Sequence, residues 1–155
     1  MTDVHPATEL AAPHATGTAA VAADSGAGST RWQTGLEVRK AVLGASHVEQ
    51  SLARASAFSE PIQNLVTEYC WGEVWTREGL DRRTRSLINI AMLTALNRGH
   101  ELSVHVRGAI TNGCTEQEIQ EVLLQTAIYV GVPASLESFR IAEKVLTERA
   151  DEQSA

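Results

Sequence analysis

Between Asn112-Gly113 and Gly131-Val132-Pro133 the chain reads Thr115-Glu116-Gln117-Glu118, followed by Ile119, Val122, Leu123, Leu124, Ala127 and Ile128. Thr-x-x-Glu is a reciprocal cap: the hydroxyl accepts the N–H of the glutamate, and the carboxylate accepts the N–H of the threonine. A turn before it and a Gly/Pro break after it bound a helix at both ends. Val122, Leu123 and Leu124 are consecutive and point in different directions on that helix, so a single buried stripe cannot hold them all. A second surface, another helix or another subunit, must cover the remainder, and a homo-oligomer is expected.

The same punctuation recurs upstream and downstream. Trp32 to Leu43 carries Leu36, Val38, Val42 and Leu43 and stops at Gly44, a residue suited to a left-handed C-terminal cap. A second helix is predicted from His47 to about Phe58. Pro61 suits the first turn of a third, carrying Ile62, Leu65, Val66 and Tyr69 toward Trp71. Asp81 is the candidate N-cap of a helix with Leu87, Ile88, Ala91, Leu93, Ala95 and Leu96, and Ala134 to Leu146 forms the last. No segment alternates as a strand does, so the fold class is all-α.

With 155 residues, 43% of them hydrophobic, the chain can fill one core. The opening through Thr30 is rich in Ala, Gly, Thr and Ser, contains Pro6 and Pro13 and lacks aromatics; it is expected to be a disordered extension. The domain is expected over 31–149 and a flexible end over 150–155. A net charge of −6 without a basic stripe argues against nucleic acid and against anionic membranes. Neither an export signal nor an apolar run of membrane-spanning length is present. Cys70 and Cys114 belong to no CxxC or metal-ligand spacing and read as reduced thiols, pointing to a soluble cytoplasmic protein.

Asn97 to Gly113 is where chemistry is expected. Glu101 and His105, four apart, stand on one side of a helix, with Arg98 a turn earlier. Such a pair on an exposed helix is ordinarily a solvated pair contributing a few tenths of a kcal/mol. Here Leu102, Val106, Ala109 and Ile110 form the buried stripe, and His105 borders it. A second feature is Arg82, Arg83 and Arg85 in the first turn of the helix capped by Asp81, where the helix dipole favours anions. They form either an anion site, with Arg82 and Arg85 facing one ligand, or a solvated patch of salt bridges. Trp71 and Trp75 line a pocket or simply pack. No GxGxxG, Walker, HExxH or GxSxG motif competes.

Arg31-Trp32 through Gly44, Trp71-Gly-Glu-Val-Trp75, Gly79 through Leu87, Glu101-Leu-x-x-His105 through Asn112-Gly113, Glu118-Ile119-x-Glu121-Val122 and Ala127-Ile-Tyr-x-Gly-Val-Pro-Ala134 together resemble the carboxymuconolactone decarboxylase family, of the alkyl hydroperoxide reductase D-like type. The likeness spans essentially the whole chain after Thr30. It implies an all-helical bundle, a hexameric homo-oligomer and no cofactor. The activity it implies is decarboxylation of 4-carboxymuconolactone, a small anionic lactone, to 3-oxoadipate enol-lactone in the protocatechuate branch of the β-ketoadipate pathway. Redox relatives carry CxxCxxxH on the corresponding helix, whereas here Arg98 and Glu101 occupy the cysteine positions. A related lactone as substrate of a decarboxylase or isomerase, or a thiol-dependent peroxidase or disulfide reductase, are the alternative activities. Under this resemblance His105 donates the proton with Glu101 orienting or recharging it, or Glu101 is the acid and His105 acts on the oxyanion. Arg85 and Arg82 would hold the retained carboxylate, with Arg98 also toward the substrate and Trp75 as an apolar wall.

Overall fold

The computed structural model describes residues 29–154, which are helical apart from short turns and contain no strand. Seven α-helices run α1 (Thr30–Leu43), α2 (Ala45–Ala53), α3 (Glu60–Leu65), α4 (Arg82–Ala95), α5 (Gly99–Thr111), α6 (Glu116–Val130) and α7 (Val132–Ser154). A π-helical segment, Val66–Val74, continues α3.

The punctuation behaves as its chemistry requires. The Asp81 carboxylate accepts the Thr84 N–H at 2.7 Å, and both halves of the Thr115/Glu118 box are formed. Gly131 adopts φ 116°, a conformation that side chains disfavour. That single residue turns the chain, so Pro133 sits inside the first turn of α7 and the last helix begins at Val132.

Three helices, α1, α2 and α7, differ from expectation in where they begin or end. α1 starts at Thr30 because the Ser29 hydroxyl accepts the Trp32 N–H at 3.0 Å; the rest of the Ala-rich opening lies outside the described residues. α2 ends at Ala53, well before Phe58, because Ser56 and Ser59 form their own turn: Ser59 Oγ accepts the Ser56 N–H at 3.0 Å and the Ser59 N–H reaches Ser56 O at 2.9 Å. Short hydroxyl side chains compete in this way with helix continuation. α7 continues past Leu146 to Ser154, through the expected flexible end, and Arg107 holds it with Glu148 at 3.8 Å and Glu152 at 2.7 Å.

Two apolar clusters result. The larger joins Ile90 of α4, Leu102, Val106 and Ala109 of α5, Ile119 and Leu123 of α6, and Ala142 and Val145 of α7. The smaller joins Val38 and Val42 of α1 to Trp71 and Trp75. α5 separates them: the Leu102/Val106/Ala109 stripe faces the first, while Gly108 lies against Val42 of α1. Gly35 and Gly72 let α1 and the π segment touch backbone to backbone, since a Cβ on Gly35 would stand 2.0 Å from the Thr67 carbonyl oxygen. Beside this contact the buried Arg39 guanidinium donates to Thr67 Oγ1 at 3.0 Å, Gln63 Oε1 at 2.9 Å and Ser51 Oγ at 3.4 Å. These acceptors are neutral, and burial holds the Arg39 pKa below its usual value.

Candidate active site

α5 presents His105 one step round from its buried stripe, toward the tryptophan cluster. The imidazole lies nearly parallel to the Trp71 ring, with centroids 6.4 Å apart and planes at 6°. Trp75 is 6.5 Å away at 28°, and the two indoles stand 4.6 Å apart. Both are buried, at 3% and 6% exposure. Delivering them is the work of the π segment, whose wider turn is marked by the Trp75 N–H reaching Cys70 O at 3.0 Å. Single π turns inside helices occur frequently at functional sites. Nothing in the apolar spacing of α3 forecast this one.

Burial pushes the His105 pKa below its ordinary value, and the Glu101 carboxylate offsets this in part. His105 is therefore neutral at neutral pH. With the folded value depressed, the associated stability is present above the unfolded value of about 6.5 and is lost as pH falls from there through the folded value. Glu101 itself is exposed, and its influence on His105 is through charge. The hydrogen-bond partner of the imidazole is instead Asn89 of α4, with Asn89 Nδ2 at 3.4 Å from His105 Nδ1. This residue was missed in the sequence, although a polar side chain amid Leu87, Ile88, Ala91 and Leu93 is the kind of interruption that signals a specific partner.

The arginine cluster divides three ways. Arg83 is taken up by an ion pair with Glu118, a glutamate already committed to the capping box. Arg85, half-buried, donates from Nη2 to the Arg77 carbonyl at 3.0 Å, while its buried Nε has no partner among the described residues. Arg82 is exposed and makes no ion pair among the described residues. Their helix start is fixed by the far end of α5, where Asn112 Nδ2 donates to Ser86 Oγ at 2.9 Å. Arg98, at the start of α5, is likewise exposed and unpaired among the described residues. The structure thus brings together His105, Asn89, Trp71 and Trp75. It puts Arg85 one helical turn before Asn89, and it leaves Glu101, Arg82 and Arg98 at the surface.

Both thiols are raised in pKa, burial being the main cause, so neither is poised as a thiolate. Among the described residues no three His, Cys, Asp or Glu side chains converge in the manner of a metal site. No described helix is long and apolar enough to cross a membrane. What the arrangement can offer is a neutral imidazole N–H against an aromatic wall, with a guanidinium free of carboxylate on the neighbouring helix.

A model of the carboxymuconolactone decarboxylase family matches residues 60–144. Over 118 residues the chain is 45% identical to the 4-carboxymuconolactone decarboxylase of Acinetobacter baylyi, covering 76% of this chain and 88% of that one. It is 44% identical over 117 residues to the nitrosuccinic acid decarboxylase of Metarhizium robertsii, covering 76% and 82%. An uncharacterized 15.0 kDa protein of Paracoccus denitrificans shares 36% identity over 89 residues, 56% of this chain and 66% of its own.

Proposed function

The chain belongs to the carboxymuconolactone decarboxylase family, and from that membership we propose that it is a carboxy-lyase converting 4-carboxymuconolactone to 3-oxoadipate enol-lactone in the protocatechuate branch of the β-ketoadipate pathway. The observation that carries the mechanism is half-buried His105 set beside Trp71 and Trp75, where burial lowers its pKa.

The scissile carboxylate of this substrate sits on the γ-carbon of a butenolide. As its C–C bond breaks and carbon dioxide leaves, the electron pair moves through the ring double bond onto the lactone carbonyl oxygen. A proton then adds to the ring carbon next to that carbonyl, giving the enol-lactone. The lactone is its own electron sink, so the protein's task is to meet the oxyanion and to exclude water from the departing carboxylate. His105 donates its N–H to the oxyanion, as an imidazole kept neutral by a lowered pKa can do. The proton that reaches the ring carbon comes from solvent, with exposed Glu101, one turn before His105, placed to pass it on. Trp75 and Trp71 form the apolar wall that favours neutral carbon dioxide over carboxylate. Arg85 and Arg82 hold the retained acetate arm, with Arg98 at the rim.

The near-equal likeness to a nitrosuccinic acid decarboxylase fits the same logic, since loss of carbon dioxide beside a nitro group also places charge on oxygen. Purified protein mixed with 4-carboxymuconolactone is expected to release carbon dioxide and form enol-lactone. Turnover of nitrosuccinate but not of the lactone would overturn the substrate while keeping the reaction type.

Several chains together make up the working enzyme in this reading. Ile128 and Tyr129 on α6 are 81% and 80% exposed, and an apolar groove of about 470 Å³ lies between α4 and α6, lined by Ile88, Met92 and Val130. Surfaces of this kind mark association sites. The resemblance suggests a hexamer, and a sedimentation mass equal to the 16.7 kDa protomer would exclude any oligomer. Two free thiols suit a reducing, cytoplasmic setting.

Arg85 and Arg83 separate anion binding from stability. Arg85→Gln is expected to raise KM about tenfold or more, the loss of a charged hydrogen bond, with kcat changed far less. Arg83→Gln loses a part-exposed ion pair, lowers stability by at most about 1 kcal/mol and leaves KM nearly unchanged. Equal KM values in the two variants would remove Arg85 from the substrate site.

A further inference from the structure

A histidine that donates a hydrogen bond to an oxyanion must carry its single proton on the nitrogen that faces the substrate. In a neutral imidazole either nitrogen can hold it, and the partner of the other nitrogen decides which. His105 Nδ1 meets Asn89 Nδ2 at 3.4 Å. A primary amide nitrogen only donates, so Nδ1 has to accept and is unprotonated. Nε2 has no hydrogen-bond partner among the described residues and is not among the buried unpartnered atoms. The indoles of Trp71 and Trp75 lie beside the ring, their centroids 6.4 and 6.5 Å from its own.

We propose that Asn89 is the positioning residue of the site: by occupying Nδ1 it keeps the His105 proton on Nε2, the nitrogen left free to meet substrate. This rests on the reading of His105 as the group that meets the oxyanion. Asn89 acts through His105 and touches no substrate itself. Its place on α4 also ties α4 to α5 in register, which the Asn112 bond to Ser86, one turn earlier on α4, also secures.

The test is nitrogen NMR of protein labelled with 15N-histidine at a pH above the His105 titration, with the His105 signals identified by their absence in His105→Gln. Wild type is expected to show Nδ1 unprotonated and Nε2 protonated. In Asn89→Leu the Nε2–H share falls toward the mixture of a free neutral imidazole, and kcat falls with it while KM and melting behaviour are little changed. In Asn89→Asp the carboxylate accepts from Nδ1–H, the tautomer reverses, and kcat falls about 10²-fold, the loss typical of one oxyanion donor. A protonated Nδ1 in wild type, or an unchanged tautomer in Asn89→Leu, overturns the role of Asn89 whatever the activity does. A tautomer that moves as expected while kcat stays at the wild-type value overturns instead the reading of His105 on which the proposal rests.

Discussion

His105→Ala is expected to lower kcat by about 10²- to 10³-fold, the range found when a single preorganised oxyanion donor is removed, while the protein stays folded. The fold should tolerate the change because His105 is only half-buried and belongs to neither apolar cluster. KM should move much less than kcat, since the lost bond strengthens only as charge reaches the lactone oxygen. His105→Gln, which keeps an N–H donor of similar reach, should recover part of the loss. The pH profile supplies an independent check. Because burial depresses the His105 pKa, with Glu101 opposing, the neutral donor persists below the ordinary histidine value of about 6.5. Activity limited by His105 should therefore hold in mildly acid solution and fall only as pH drops through the depressed value. A general-acid imidazolium would show the opposite limb, with activity falling as pH rises. Wild-type kcat in His105→Ala, measured by carbon dioxide release, would remove the residue from the mechanism.

Whether His105 serves as acid or as electrophile is left open by the sequence. Spacing alone put Glu101 and His105 on one side of a helix, and an i,i+4 pair invites the reading of a hydrogen-bonded couple. In the folded chain Glu101 points to solvent, and the bond is made from another helix by Asn89. Contacts sixteen residues apart depend on how α4 crosses α5, which periodicity does not encode. Likewise three adjacent arginines look equivalent in a row of letters. Their division into a capping-box partner, a loop clamp with an unpartnered Nε, and a solvated side chain comes from what lies opposite each. By contrast, local chemistry was readable: Asp81, Thr115 and Gly44 end or begin helices through groups within a few residues of themselves. Where a local competitor went unweighed, as with the Ser56/Ser59 turn, the boundary moved.

Among the described glycines, Gly35→Ala is expected to lower stability most. The new Cβ would lie 2.0 Å from Thr67 O, 2.8 Å from Gly72 N and 3.0 Å from Gly72 Cα. All three are backbone atoms, so no rotamer change relieves the clash, and α1 must lift from the π segment. Lifting it uncovers Val38, Val42, Trp71 and Trp75, the whole of the smaller cluster, and strains the buried bond from Arg39 to Thr67. A loss of about 4 kcal/mol or more is expected, at the upper end for single substitutions, enough to leave little folded protein near physiological temperature. Gly72→Ala should behave similarly, its Cβ falling 2.3 Å from Arg31 O. Gly79→Ala is the control: nothing lies within 4 Å of its Cβ, and restricting the unfolded chain there should be neutral or stabilising by about 0.5 kcal/mol. Urea midpoints for the three variants test this. The active site gives a second readout, because the tryptophans that wall His105 are carried by the segment that Gly35 grips. Any residual folded Gly35→Ala should therefore lose turnover ahead of helix content, whereas a wild-type urea midpoint would mean that α1 and the π segment do not meet as closely as their glycines require.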